Sequence, residues 1–360
     1  MSLKFETLEQ WGIITLDAEK SLNALSLTMI ESLYSQLQSW ESDPSIMCVL
    51  IKGAGRAFCA GGDIRALYQS MTNKDTLVQE FFEKEYRLDA YLYRFSKPLV
   101  VWAHGVCMGG GMGIFQGASF RIATESTRLA MPEITIGLIP DVGASHFLKR
   151  VPMNWGLFLA LSGARLKGAE ACQLGLADYA VTDATLETFL KFIKETHTPI
   201  QLEWHRKLKD FFVQHEMIAE DGDALSHSDF VEKLLENHTA PSLMKWASSY
   251  IPQDTWEKLI IENIQKACPT SIALIFEIWK RHKTLSLEES FYNEWIIASN
   301  CGIRGDFQEG VRALLIEKDN SPKWNPASIE GVTPEIINSH FVSPRADKSN
   351  PLEDLLKELS

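Results

Sequence analysis

Short strand-like runs alternate with amphipathic helical stretches over roughly the first 180 residues, and this alternation constrains the fold more than any other feature. "WGIITLD" from Trp11 and "MCVLIKG" from Met47 predict strands. Between them, "SLTMIESLYSQLQSW" predicts a helix with Ser26 as its N-cap. A longer helix, about residues 75–95, precedes the strand-like "PLVVWAHG". Strands separated by such helices favour an α/β architecture in which helices cover a sheet.

The C-terminal part of the chain has a different character. From about Pro199 the strand signals fade, and helical stretches such as "FVEKLLENH" and "PTSIALIFEIWKRH" dominate. We therefore expect an α/β core over residues 1–198 and a helical extension packed on it over residues 199–345. Residues 346–360 are expected to form a C-terminal tail.

Composition excludes several classes of function. A net charge of −12 argues against nucleic acid as the main partner, because phosphate binding requires a clustered basic face. The six cysteines are scattered without a CxxC, which indicates reduced, mostly buried thiols. The histidines form no HxxH pair, so no metal is expected.

Targeting and membrane segments are also not expected. No apolar run approaches the roughly 18 residues of a membrane span. A strand-like "GIITLD" begins by Gly12 and leaves no room for a leader peptide, so the sequence predicts a soluble, cytoplasmic protein that does not bind membranes.

Two glycine-rich loops each follow a predicted strand. They are "CAGGD" (Cys59–Asp63) and "MGGGMG" (Met108–Gly113). Glycines leave backbone N–H groups bare and let a ligand approach closely. One such donor from each loop would form an oxyanion hole for an acyl carbonyl. Taken alone, either run is more simply explained by tight turns and close packing.

A third loop, "MPEITIGLIPDVG" (Met131–Gly143), places two carboxylates among apolar residues. Glu133 follows Pro132, which stiffens the backbone. Apolar neighbours predict a poorly solvated carboxyl group with a raised pKa, which suits a general base or a nucleophile. Asp141 has an equally strong structural alternative as the N-cap of a helix starting near Val142.

A fourth candidate comes from helical spacing. Glu85 lies in the middle of an apolar stripe formed by Val78, Phe81, Leu88 and Leu92. A carboxylate on an apolar face is either functional or paired with a structural partner, since an unpaired buried charge is costly. A buried face shifted by one residue would also explain the pattern.

Together these loops resemble the crotonase (enoyl-CoA hydratase/isomerase) superfamily, which binds acyl-CoA thioesters. The resemblance lies in "GAGRAFCAGGDI", "HGVCMGGGMG" and "AMPEITIGLIPDVGAS", in this order over about ninety residues. It implies a spiral core of ββα turns, an acyl-CoA-binding domain, with a helical region after it. It also implies an oxyanion hole at the backbone N–H groups of Gly62 and Gly110.

The same resemblance implies where coenzyme A would bind. Backbone around Ala24, Ala60 and Ile64 would hold its adenine and pantetheine, and Arg65 is a candidate for a phosphate. Coenzyme A is part of the substrate, so no separate cofactor is expected. Crotonases commonly form trimers or hexamers, which makes a homo-oligomer an open expectation here.

The carboxylates indicate a subfamily. Enoyl-CoA hydratases use one glutamate at the end of a GGGxE motif and another in the PE motif, but here the first position is Gly113. GGGxG, then PE, then an aspartate eight residues later resembles the 3-hydroxyisobutyryl-CoA hydrolase subfamily, in which Glu85 falls on a substrate-contacting glutamate. "RGDFQEGVRALLIEKDNSPKWNP" (Arg304–Pro326) resembles the C-terminal signature of that subfamily.

The resemblance implies hydrolysis of a short 3-hydroxyacyl-CoA, most specifically 3-hydroxyisobutyryl-CoA in valine catabolism. Glu133 and Asp141 would be catalytic with Gly62 and Gly110, and Glu85 would contact the substrate. An enoyl-CoA isomerase or hydratase is the alternative within the superfamily, and a non-catalytic acyl-CoA-binding protein is a more distant one.

Overall fold

The computed structural model describes residues 2–217, 222–282, 284–347 and 349–353. These residues fall into two units, each built from three separate stretches of chain. Unit 1 comprises Met1–Gly62, Leu88–Leu129 and Arg165–Leu225. Unit 2 comprises Asp63–Arg87, Ala130–Ala164 and Ser226–Ser360. Residues 348 and 354–360 of the predicted tail lie outside the described residues.

The described residues contain ten strands, which belong to unit 1 except for Ala130 at the end of the eighth. They are β1 (Leu3–Leu8), β2 (Trp11–Leu16), β3 (Cys48–Gly53), β4 (Ala57–Cys59), β5 (Leu99–Ala103), β6 (Val106–Met108), β7 (Phe120–Thr124), β8 (Arg128–Ala130), β9 (Leu166–Lys167) and β10 (Tyr179–Val181). A six-stranded sheet has the order β1-β2-β3-β5-β7-β10, and β4-β6-β8-β9 form a second sheet. In the first sheet β1 runs antiparallel to β2 and the remaining pairs are parallel.

Sixteen α-helices are present in the described residues. They are α1 (Leu27–Ser42), α2 (Ile64–Asn73), α3 (Leu77–Leu92), α4 (Gly110–Gln116), α5 (Ala144–Phe147), α6 (Trp155–Ser162), α7 (Gly168–Gln173), α8 (Thr185–Glu195), α9 (Gln201–His215), α10 (Ser228–Leu235), α11 (Ala240–Ser249), α12 (Thr255–Lys266), α13 (Pro269–Arg281), α14 (Leu287–Arg304), α15 (Asp306–Val311) and α16 (Pro334–His340). Within the described ranges no strand follows Val181, which confirms the predicted change to helix.

The predicted elements of the first half are confirmed. β2, β3 and β5 occupy the three strand-like runs, and α1 begins at Leu27 with the Ser26 hydroxyl accepting a hydrogen bond from Met29 N at 3.3 Å. The helix predicted over about residues 75–95 is α3, and it is slightly shorter. These agreements follow from strong local periodicity.

A large aromatic cluster covers one face of the six-stranded sheet. Trp11 and Trp102 from β2 and β5 pack with Phe189 of α8 and with Trp204 and Phe212 of α9, all buried. Because α9 buries its apolar face on this sheet, unit 1 continues past the predicted boundary at residue 198. The 3.6-residue period of α9 identifies a helix but does not reveal which layer it covers.

Two further observations concern cysteines and membranes. All six cysteines are free, five are buried, and Cys172 is half-buried, which confirms the expected reduced thiols. Within the described stretches, no helix is both long enough and apolar enough to cross a bilayer.

Candidate active site

The two glycine-rich loops of unit 1 lie side by side. β4 and β6 are parallel neighbours, so their carboxyl ends deliver both loops to the same edge of the second sheet. Gly61 has a φ of +99°, and a methyl group built on it would lie 3.5 Å from Gly110 N. The N–H of Gly110 belongs to the first turn of α4, where backbone donors have no acceptor within the helix. The structure therefore places Gly62 and Gly110 on adjoining loops.

The predicted nucleotide-binding backbone of unit 1 is adjacent to the first of these loops. Ala60 N donates to Leu22 O at 3.0 Å, and Leu25 N donates to Gly61 O at 2.8 Å. Ala24 lies within residues 22–25, the strip of backbone that makes these bonds. Ala24 and Ala60 are therefore held together, as expected if both contact one ligand.

A buried asparagine that the sequence analysis did not single out fixes this strip. Asn23 Nδ2 donates to Ala54 O at 2.9 Å and to Ala57 O at 2.8 Å, and its Oδ1 accepts from Ala18 N at 2.8 Å. Asn23 itself has a φ of +59°, a conformation that asparagine tolerates better than most residues. Its side chain thus anchors the loop at three points.

Ile64 and Arg65 belong to unit 2 and open α2. The Asp63 carboxylate caps this helix by accepting from Ala66 N at 3.2 Å. Arg65 is exposed and Ile64 is half-buried. Their proposed contacts with coenzyme A stay predictions.

The side chain of Asp89 fills the space beside Gly113. A methyl group built on Gly113 would lie 2.6 Å from Asp89 Oδ2, closer than real contacts allow. Asp89 lies on α3 and is fully buried. The position that carries a glutamate in hydratases therefore has no room for a side chain unless Asp89 moves.

Glu133 and Asp141 are both buried in unit 2, with exposed fractions of 5% and 4%. Glu133 opens a 3₁₀ turn, Glu133–Ile136. The Asp141 carboxylate accepts a hydrogen bond from the Tyr86 hydroxyl at 2.5 Å. The alternative role of Asp141 as a helix N-cap is wrong, because α5 begins at Ala144 with Gly143 as its cap.

Glu85 lies on the buried face of α3, as predicted from spacing. It is 3% exposed, and the four apolar residues of the predicted stripe are buried with it. Among the described residues, Glu85 Oε1 and Glu133 Oε2 have no hydrogen-bond partner. Buried carboxylate oxygens without partners are costly, so this arrangement favours a site that is completed by a ligand.

The three carboxyl groups influence one another. Burial raises the pKa of Glu133 and of Glu85 well above the ordinary range, and the charge of Asp141 raises both further. Burial raises the pKa of Asp141 to about 7, although the hydrogen bond from Tyr86 opposes this shift. Like charges this close cannot all be ionised at neutral pH. These carboxyl groups therefore keep their protons to higher pH than exposed carboxyl groups do.

The turn that carries Asp141 has an unusual backbone. Val142 has a φ of +54° and Gly143 a φ of +89°. Positive φ suits glycine but is unfavourable for a β-branched residue such as valine, at a cost of about 1–3 kcal/mol. Glu294 of α14 accepts hydrogen bonds from Gly143 N and Ser145 N, both at 2.7 Å. Surrounding contacts therefore maintain this strained turn.

Sequence analysis missed Tyr86, Asp89 and Glu294. A signal was available for Glu294, because Phe291, Trp295 and Ile297 surround it in the sequence just as apolar residues surround Glu85. Nothing in the sequence indicated its partners, which lie about 150 residues earlier in the chain. Tyr86 and Asp141 are 55 residues apart in the sequence, so the sequence did not indicate their contact either.

Comparison with known proteins identifies the family. A family model described as enoyl-CoA hydratase/isomerase matches residues 11–341. The chain belongs to the enoyl-CoA hydratase/isomerase family. Its relatives include the mitochondrial 3-hydroxyisobutyryl-CoA hydrolases of Danio rerio, 38% identical over 94% of this chain and 89% of the relative, and of Homo sapiens, 37% identical over 92% and 86%.

Solved structures of the family confirm the fold prediction. A carnitinyl-CoA dehydratase from Mycobacterium thermoresistibile is 28% identical with a TM-score of 0.86, covering 96% of this chain and 97% of its own. An enoyl-CoA hydratase from Rhodobacter sphaeroides 2.4.1 is 29% identical with a TM-score of 0.84, covering 96% and 98%. Both structures match this chain over the crotonase-like core and over the helical C-terminal extension.

The cytoplasmic localisation expected from the sequence is contradicted by the relatives of this chain. The sequence analysis predicted a cytoplasmic protein, but the curated family members named above are mitochondrial enzymes, and the cytoplasmic prediction is wrong. It rested on the position of the first strand, which says nothing about where a protein resides.

Proposed function

We propose that this family member hydrolyses the thioester of a short 3-hydroxyacyl-CoA, with 3-hydroxyisobutyryl-CoA as the substrate that fits best. The observation that carries the proposal is the set of acids. Glu133 and Asp141 are buried with Glu85, while the second hydratase acid is replaced by Gly113. Relatives at 37–38% identity are named for this hydrolysis, and the reaction would belong to valine catabolism.

Hydration of a double bond would be poorly served by these residues. Syn addition of water needs two acids to hold the water and shuttle its protons. Asp89 fills the space beside Gly113, and it is on α3 rather than on the glycine-rich loop. The chain therefore keeps one of the two hydratase glutamates.

Hydrolysis would begin with polarisation of the thioester carbonyl. The N–H groups of Gly62 and Gly110 would donate to the carbonyl oxygen and stabilise the negative charge that develops there. Loss of one such donor typically costs about 10²–10³ in rate. This role is proposed from the family chemistry and from the adjoining position of the two loops.

Glu133 would supply the nucleophile. Its carboxylate attacks the carbonyl carbon, the C–S bond breaks, and coenzyme A leaves as the thiolate, which takes the proton that the later hydrolysis by water releases. The acyl group is then held as a mixed anhydride, which water hydrolyses to release the hydroxy acid and restore the carboxylate. Alternatively, ionised Glu133 removes a proton from water that attacks directly. Its raised pKa suits both routes, because a basic carboxylate is a better nucleophile and a better base.

Asp141 would recognise the 3-hydroxyl group of the substrate. Its carboxylate already accepts from Tyr86, and a second donor would further stabilise the ionised form. A substrate without the hydroxyl would leave this buried carboxylate short of a hydrogen bond, which discriminates against it. Glu85, which has an oxygen without a partner among the residues that the structure describes, would line the acyl pocket.

The alternative is an enoyl-CoA isomerase or hydratase, and one experiment separates the two. Thiol release from 3-hydroxyisobutyryl-CoA is followed in parallel with the absorbance of crotonyl-CoA. We expect thiol release and negligible loss of crotonyl-CoA absorbance. Hydration of crotonyl-CoA without thiol release would overturn the hydrolase proposal. Ligand binding without either reaction would favour a non-catalytic acyl-CoA-binding protein.

A further inference from the structure

Glu294 is a buried carboxylate to which the proposed reaction gives no role. It lies on α14 and is fully buried. Its Oε2 accepts from Gly143 N and its Oε1 from Ser145 N, both at 2.7 Å. One side chain therefore uses both oxygens to hold the backbone that directly follows Asp141.

That backbone needs an external support. Val142 and Gly143 both have positive φ, and the valine is the unfavourable one. Without Glu294, the N–H groups of Gly143 and Ser145 would lose the acceptors that they have in the structure, and the turn would lose two of the contacts that offset the strain at Val142. The turn would then relax, and the Asp141 side chain would move with it.

A second residue of α14 contacts the same turn. Phe291 lies three positions before Glu294, on the same helical face. A methyl group built on Gly143 would lie 3.0 Å from Phe291 Cζ, and the Phe291 ring is 6.1 Å from the ring of Tyr86. The same face of α14 thus contacts both the turn and the residue that donates to Asp141.

We propose that Glu294 is a positioning residue, which acts by holding the Asp141 turn in the conformation that presents its carboxylate to Tyr86 and to the substrate. For its catalytic consequence the inference rests on the proposed function. Its structural consequence, the geometry of the Tyr86–Asp141 pair, is independent of the substrate.

Glu294→Gln is the most informative variant. It preserves size and leaves one oxygen to accept a hydrogen bond, but the amide nitrogen faces an N–H group that it cannot accept from. The titratable groups around position 294 are Asp141, Tyr86 and Lys149. Assays at one fixed pH, well above neutrality, keep Asp141 in the same protonation state in every variant that retains it, and they do the same for Glu294.

A double-mutant cycle tests whether Glu294 acts through Asp141. kcat/KM for 3-hydroxyisobutyryl-CoA is measured for the wild type, Glu294→Gln, Asp141→Asn and the double variant. We expect Glu294→Gln to lose at least tenfold, and the double variant to match Asp141→Asn within about threefold. A double variant that loses the product of both effects would overturn the inference, because a general structural role is additive.

Glu170 provides a matched control. It is fully buried, and its carboxylate accepts from Ala224 N at 2.7 Å, Leu225 N at 3.1 Å and Lys167 N at 2.9 Å. Glu170→Gln therefore removes the same type of interaction away from the Asp141 turn. We expect it to keep kcat/KM within about threefold, and a loss equal to that of Glu294→Gln would overturn the inference. If Glu294→Gln does not fold, Glu294→Asp replaces it, since the shorter carboxylate cannot reach both N–H groups.

A spectroscopic measurement separates this inference from the proposed function. Tyrosine labelled with ¹³C at Cζ reports the hydrogen bond of its hydroxyl, and Tyr86→Phe assigns the Tyr86 signal. We expect that signal to shift in Glu294→Gln and to stay in place in Glu170→Gln. An unmoved signal in folded Glu294→Gln overturns the positioning role, whatever the activity. Absence of thiol release by the wild type would instead refute the proposed function, and the Tyr86 signal would still decide the inference.

Discussion

Two sets of buried carboxylates in this chain have opposite surroundings. Glu170 of unit 1 is fully buried, and both of its oxygens accept hydrogen bonds from backbone N–H groups. Glu85 and Glu133 of unit 2 are buried almost as completely, yet each has an oxygen without a partner in the described part of the chain. Burial alone therefore does not distinguish a structural acid from a candidate catalytic one.

The difference shows what makes a carboxylate reactive. Backbone donors hold a carboxylate in one orientation, as at Glu170. In unit 2, by contrast, burial raises the pKa values of Glu85 and Glu133, and the charge of Asp141 raises them further. Such a cluster lowers the stability of the fold but suits a functional site, because a substrate can supply the missing hydrogen bonds.

The largest effect is expected for Glu133→Gln. An amide can neither attack the thioester nor accept a proton from water, so thiol release should fall by about 10³-fold or more. Thiol release from 3-hydroxyisobutyryl-CoA measures it. Glu170→Gln, which changes an equally buried glutamate, should remain within a fewfold of the wild type. Full activity of Glu133→Gln would contradict the catalytic role of Glu133. The two sets of buried acids would then not differ in function.

Asp141→Asn should reduce kcat/KM for the 3-hydroxy substrate by about 10²-fold, because a charged acceptor is lost. The loss for isobutyryl-CoA, which lacks the hydroxyl, should be much smaller. The measurement is the ratio of kcat/KM for the 3-hydroxy substrate to kcat/KM for isobutyryl-CoA, in the wild type and in the variant. Equal losses for both substrates would show that Asp141 acts on the hydrolytic water rather than on the hydroxyl.

Tyr86→Phe should reduce kcat/KM by at least about tenfold, since a hydrogen bond to a charged group contributes about 1.5–3 kcal/mol. That bond favours ionised Asp141, so its removal should raise the pKa of Asp141 above about 7. Preference for the hydroxylated substrate is lost as pH falls through this pKa, and in the variant the loss should begin at higher pH. A pH profile of the substrate ratio tests this, and a shift to lower pH would contradict it.

The smallest effect concerns Gly113. Gly113→Ala should destabilise the protein by up to about 2 kcal/mol, because overpacking against Asp89 costs about 1–3 kcal/mol and the gain in helix propensity offsets only about 1 kcal/mol. Denaturant unfolding measures the change. In an Asp89→Ala background the same substitution should cost less. An equal cost in both backgrounds would mean that Asp89 is not the obstacle.

Much of the site could be predicted from local pattern. The spacing of the α3 stripe identified Glu85, and the apolar surroundings of Met131–Gly143 identified Glu133 and Asp141 as buried acids. The same pattern could not decide whether Asp141 capped a helix, since that depends on where α5 begins.

What escaped prediction depends on contacts between distant segments. Glu294 holds a turn about 150 residues earlier in the chain, and Asp89 blocks a glycine 24 residues away. The placement of α9 on the six-stranded sheet is of the same kind, because periodicity shows that a helix has an apolar face but not what that face covers. A single cut at residue 198 followed from composition, whereas the units are assembled from three stretches each.

The free cysteines have a practical consequence for enzymology. Burial raises the pKa of Cys172 and Cys268 to about 12, and it also raises the pKa values of Cys48, Cys107 and Cys301. Thiol reagents attack the thiolate, which buried thiols with a raised pKa form less readily. A colorimetric reagent added to the working enzyme should thus register newly freed coenzyme A against a low, steady background, so turnover can be recorded continuously in one cuvette.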